Sequence, residues 1–233
     1  MNNELITKIK TRGYWFVRIR PLDFAENRIN SLAECKKLIQ EAVVLLRGWD
    51  YPHIDVGGII SGSDWVESFS DWDLYLEYWR FYKSAQFAHF FSCREDLQNQ
   101  DDLRRRIYYS SEDTESFLSI ISTLYSVTEI FEFSSRLAQN HLFDKGLNIS
   151  IDLHKMNNRQ LFFYDISRAM LNPYICRVEN FNVEGNYTFE DITIHSAELA
   201  LQTTIHIFER FNMDSPPQKL LKEEQQKFLY KST

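Results

Sequence analysis

Three carboxylates are the residues of this chain best typed for catalysis: Asp71 and Asp73, in the run Ser70-Asp71-Trp72-Asp73-Leu74, and Asp152 far downstream. Residues two apart on a strand share one face, so Asp71 and Asp73 are placed to hold magnesium, with Asp152 on another strand completing the set. His53 with Asp55, and Asp152 with His154, repeat the same spacing as two-ligand metal fragments, without a third ligand at a recognisable interval. A second kind of chemistry is recognition. Arg18 and Arg20 fall on one strand face, Arg47 stands beside Trp49, and Trp79-Arg80 lies in an aromatic run. Guanidinium and indole groups together make energetic protein contacts, and they also suit base stacking with phosphate neutralisation.

Gly62-Ser63 followed by Asp71-x-Asp73 and a third strand-borne acid resembles the signature of minimal nucleotidyltransferases. The resemblance implies magnesium on Asp71 and Asp73, and a reaction on nucleotides or nucleic acid. Seven residues, none of them basic, separate Ser63 from Asp71, fewer than that family places there. Without the resemblance, the two acids read as turn and strand-edge residues beside Trp72. Other fingerprints fail. Gly57 and Gly62 have the gap of a phosphate-binding loop, but Ser63 and Asp64 stand where such a loop needs lysine and a hydroxyl. No G-x-G-x-x-G, G-x-S-x-G or H-E-x-x-H occurs.

The elements that must position these groups follow from periodicity. Tyr14 to Arg20 alternates as a strand that Pro21 ends. Ser31 and Glu34 have capping-box spacing ahead of a short amphipathic helix, and a β-prone run from Val43 leads to Arg47, Gly48 and Trp49. The aromatic segment 57–93 is predicted as a meander of two or three strands, because rings suit a pleated, half-buried surface; a helix over 74–91 is the competing reading. Residues 95–106 read as a polar connection. A broad apolar helix runs from Phe117 to Leu137, and Asn148 to His154 is a half-buried strand onto which Leu161 to Tyr164 folds back. A strand over 174–183 and two helices close the chain. The last helix opens on Ser215-Pro216-Pro217-Gln218 and, over 215–230, is expected to dock on a partner.

Composition bounds the rest. The chain has 233 residues, 44% hydrophobic and 15% aromatic, which suffices for a substantial core and excludes a disordered chain. With 26 Lys and Arg against 33 Asp and Glu, the net charge is −7, so no global positive field favours nucleic acid or an anionic membrane. The one dense basic run, Arg104-Arg105-Arg106 with Tyr108 and Tyr109, is offset by Asp101, Asp102, Glu112 and Asp113. Cys35, Cys93 and Cys176 are odd in number, scattered and without C-x-x-C spacing, which fits packing roles in a reducing compartment. No apolar run reaches the length of a signal peptide or a membrane span.

The sequence therefore predicts one α+β domain over 1–233, with a mostly antiparallel, aromatic sheet covered by helices. The leading functional expectation is a non-catalytic cytoplasmic interaction protein without a cofactor. It would self-associate and bind a macromolecular partner through a sheet surface bearing Arg18, Arg20, Arg47, Trp49, Trp79 and Arg80. The alternatives are a magnesium enzyme using Asp71, Asp73 and Asp152, and a single-stranded nucleic-acid module using Arg104 to Arg106.

Overall fold

The aromatic alternation dictates strands. In Tyr14–Pro21 (β1), Trp15, Val17 and Ile19 are buried while Tyr14, Phe16 and Arg18 alternate with them on a half-buried face. A computed structural model describes residues 3–107, 110–168, 170 and 172–230. Before β1 lies α1 (Asn3–Lys10), and after it α2 (Leu32–Ala42), whose first turn is capped by the Ser31 hydroxyl accepting from the Glu34 N–H. The segment 57–93 folds as strands: β2 (Ile60–Ser61), β3 (Trp65–Trp72), β4 (Tyr75–Tyr82) and β5 (Phe87–Ser92). Then come α3 (Gln100–Arg106), β6 (Ser116–Ser119), α4 (Ile120–Gln139), β7 (Leu147–His154) and β8 (Arg159–Phe162). The chain closes with β9 (Asn180–Tyr187), α5 (Phe189–Ile194), α6 (Ser196–Glu209) and α7 (Gln218–Tyr230).

Seven strands form one antiparallel sheet in the order β2-β3-β4-β5-β1-β7-β9, and β6 pairs with β8 in a small parallel sheet. Trp15, Val17 and Ile19 of β1 and Ile149, Ile151 and Leu153 of β7 face α4 and its neighbours, and this inner face holds the main core. The outer face is divided. Over β4 and β5, α1 buries Leu5, Ile6 and Ile9 against Leu76, Tyr78 and Phe90; over β1, β7 and β9 the face is polar. The fold is α+β, as the sequence indicates, and among the described residues no helix is long and apolar enough to cross a membrane.

Several local expectations are corrected. Residues 159–162 do not fold back on β7, because both edges of β7 are taken by β1 and β9; β8 pairs with β6 instead. Its register is fixed by the buried Arg159 guanidinium, which makes two 2.7 Å hydrogen bonds to the Asp96 carboxylate and one to the Phe117 carbonyl. Gly13 lies against this pair, and a β-carbon there would come within 2.2 Å of the guanidinium. The helix expected from Phe117 begins only at Ile120, since Ser119 acts as its N-cap. The strand expected over 174–183 begins at Asn180. The polar connection 95–106 contains α3, capped by Asn99 with acids in its first turn and arginines in its last. Helix α7 packs on α4 and α6 of its own chain, with Phe228 stacked on Tyr125 at 3.8 Å, a contact that leaves the expectation of partner docking as it stood.

Candidate functional site: a cleft around Arg94 and Trp49

After α2 the chain doubles back, and Val44 and Tyr51 exchange two 2.9 Å backbone hydrogen bonds. Gly48, at φ +84°, makes the reversal in the left-handed region. This hairpin-like loop carries Arg47 and Trp49 to the edge of the inner face. Arg47 turns inward along α4, donating to one Glu129 oxygen at 3.1 Å and to the Ser126 hydroxyl at 2.9 Å, with the other Glu129 oxygen 2.9 Å from its guanidinium. Trp49 stays 39% exposed, and the Arg94 guanidinium lies 4.8 Å from its ring centroid. Arg94 opens the short 3₁₀ turn Arg94–Leu97 directly after β5. It is half-buried and makes no ion pair among the described residues, although its charge acts on the neighbouring Glu129 carboxyl.

Arg94 borders three adjoining hollows. The innermost, about 40 Å³, has walls that include Trp15, Arg47, Tyr51, Tyr75, Thr123 and Glu129. An open groove of about 570 Å³ runs outward past Arg47, Tyr125, Tyr164, Arg168 and Phe228, and a third hollow of about 210 Å³ lies between Trp49, His53, Trp72 and Tyr75. In the groove Arg168 is committed to Glu224 at 3.0 Å and Arg47 to Glu129, so among the described residues of its walls Arg94 is the cation left for an incoming anion.

Beneath the innermost hollow lies a buried polar network on the inner faces of β4 and β5. Glu77 is fully buried; its Oε1 lies 2.6 Å from His89 Nε2 and accepts from the His53 backbone N–H at 3.1 Å. The Tyr51 hydroxyl is 3.1 Å from His89 Nδ1. Burial, with the Glu77 charge adding to it, pushes the Tyr51 and Tyr75 phenols well above their usual range. Burial also raises the Glu129 carboxyl to about 7, against the opposing pull of Arg47.

The residues singled out from sequence are split by the sheet. Arg18, Arg20 and Arg80 lie on the outer face, where Arg18 and Arg80 flank Ala88 in one cross-strand row. Arg18 pairs with Asp152 at 2.8 Å, Arg20 bonds Asn148, and Arg80 is buried against Glu67 and beneath the Trp65 ring. Arg47, Trp49 and Trp79 lie on the inner side. Trp79 is fully buried, its Nε1 donating to the His53 carbonyl at 2.6 Å. The expected continuous Arg/Trp groove on the sheet is therefore replaced by an inner cleft that retains Arg47 and Trp49.

The acids do not converge. Asp71 is the next-to-last residue of β3 and is paired with Lys8 of α1, Asp73 sits in the β3–β4 turn, and Asp152 is on β7. Three strands separate β3 from β7, roughly 19 Å at ordinary strand spacing. Among the described residues no three His, Cys, Asp or Glu side chains gather as a cation site. His53 bonds Asp50, and His154 stacks on Tyr14 at 4.4 Å. Of the basic run, Arg104 donates to the Thr114 carbonyl and packs over Phe117, and Arg105, largely exposed, lies 3.5 Å from Asp102. Tyr108 and Tyr109 lie outside the described residues.

Sequence reasoning missed Arg94, Glu77 and Glu129, whereas His89, which reads from the sequence as a packed or capping residue, is fully buried. A signal existed for Glu77, an acid on the same strand face as Tyr75 and Trp79 in β4; Glu129 lies on the side of α4 opposite the Val127 and Phe131 stripe and carries no such signal. Arg94 carries no periodic signature. Comparison with protein-family models, with curated proteins and with solved structures finds no match.

Proposed function

We propose that this chain is a non-catalytic recognition module that binds an acidic, aromatic-bearing segment of a protein partner in the cleft around Arg94 and Trp49. The observation that carries the reading is the state of Arg94. Of the three arginines in the walls of the cleft, Arg47 and Arg168 are ion-paired, whereas Arg94 lies over a half-exposed indole without an ion pair among the described residues, at the meeting point of three hollows. A guanidinium held on an aromatic face keeps its donors directed outward in a fixed plane, which suits bidentate contact with a carboxylate. Trp49 and the half-buried Tyr125 offer ring surfaces beside it, the composition that dominates protein interface anchors.

Selection of a random displayed peptide library on the immobilised chain tests this reading. Peptides with Asp or Glu next to Trp, Tyr or Phe are expected to enrich on the native chain and not on Arg94→Ala. Enrichment of the same peptides on both proteins, or no enrichment on either, would remove the reading.

A further inference from the structure

The two edges of the large sheet are unlike. On one side the edge is β2, two residues long; on the other it is β9, eight residues long, with β7 as its one partner strand among the described residues. Sheet edges are normally blunted by short strands, lysine, proline or a bulge, because a straight edge offers a row of free backbone donors and acceptors. β9, Asn-Phe-Asn-Val-Glu-Gly-Asn-Tyr, holds no lysine, arginine or proline, and pairs with β7 in unbroken register over its full length. Its side chains alternate between exposed and half-buried, so even the inward-facing set remains partly open. Val178 just before the strand and Phe189 just after it are exposed apolar residues.

We propose that β9 pairs antiparallel with β9 of a second copy of this chain about a two-fold axis through Val183, joining the two sheets into one. The occupant is argued from complementarity. Residues directly opposite in an antiparallel pair point to the same face, so a two-fold axis must pass through one residue of the strand. Centred on Val183, Asn182 meets Glu184, Asn180 meets Asn186, and Phe181 meets Gly185. Each acid then faces an uncharged amide rather than a second acid, and each glycine, over which the Tyr187 ring already lies, lies opposite Phe181. Moving the axis to Glu184 would set the two acids against each other, and moving it to Asn182 shortens the overlap. This interface lies on a different edge of the molecule from the Arg94 cleft and does not depend on what that cleft binds.

Sedimentation velocity over 1 to 100 µM (order-of-magnitude limits set by typical homodimer affinities) tests the proposal on the full chain. The native protein is expected to show a monomer–dimer equilibrium. Asn182→Lys puts an ammonium group opposite the Glu184 carboxylate at both symmetry-related positions and is expected to tighten the dimer by roughly three- to tenfold. Asn182→Lys with Glu184→Lys sets four like charges around the axis and is expected to weaken it by roughly tenfold or more. Hydrogen exchange of the native chain supplies a readout that needs no variant: amides of 180–187 should exchange more slowly as concentration rises. A strict monomer throughout, a dimer indifferent to both substitutions, or concentration-independent exchange in β9 would each overturn the proposal.

Discussion

At the scale of single residues, the molecule concentrates its risk in buried charges. Arg159 is 2% exposed, and Asp96 compensates it with a pair of parallel hydrogen bonds. Asp96→Ala leaves that guanidinium buried without its paired carboxylate, so the expected loss is about 3 to 5 kcal/mol in urea unfolding. A loss within the range of an ordinary surface substitution would show that Arg159 is matched elsewhere. Glu129 presents the opposite sign of coupling. Its carboxyl is raised from 4.5 to about 7, with Arg47, Glu77, Arg94 and the Ser126 hydroxyl around it. The folded state therefore holds a proton that the unfolded chain has already released, and stability falls as pH rises from about 4.5 to about 7, by at most about 3 kcal/mol. Unfolding of the native chain and of Glu129→Gln at pH 5.5 and 8 checks this. The native chain should lose more stability than the variant on going to the higher pH, and parallel behaviour would contradict the assignment.

At the scale of elements, α7 closes one wall of the groove. Leu221 and Phe228 are buried, and the Gln225 amide bonds the Thr128 hydroxyl and the Ala197 carbonyl, tying α7 to α4 and α6. Phe228→Ala removes the ring stacked on Tyr125 and is expected to cost about 3 kcal/mol while exposing the segment after α6 to limited proteolysis. Unchanged proteolysis would mean that α7 is held by its polar contacts. The strands of this fold were legible in the sequence where the alternation was uninterrupted, as in β1, β7 and the aromatic run that became β3, β4 and β5. What periodicity could not carry was pairing. Nothing in Arg159–Phe162 says that β7 will be occupied on both sides, so the parallel partner β6 had no local signal. The Arg47-Trp49 half of the cleft was legible because both chemically distinctive residues lie in one loop. Arg94 was not, because its role depends on the end of β5 meeting that loop in space.

At the scale of the whole molecule, the sheet separates two surfaces that the sequence had merged into one. The outer face over β1, β7 and β9 is an internally matched polar layer, in which Arg18, Asp152, Ser150 and Asn182 bond one another. Its arginines are engaged at home. The inner cleft keeps Arg94, the one arginine of its walls without an ion pair among the described residues, and under the proposed reading an acidic segment enters there against the net charge of −7. Arginine footprinting with phenylglyoxal, read by mass spectrometry with and without an enriched acidic peptide, tests this most directly. Arg94 is expected to react in the free chain and to be shielded by the peptide, while Arg18 and Arg20 react equally in both states. Shielding of Arg18 and Arg20 with Arg94 unaffected would contradict the account.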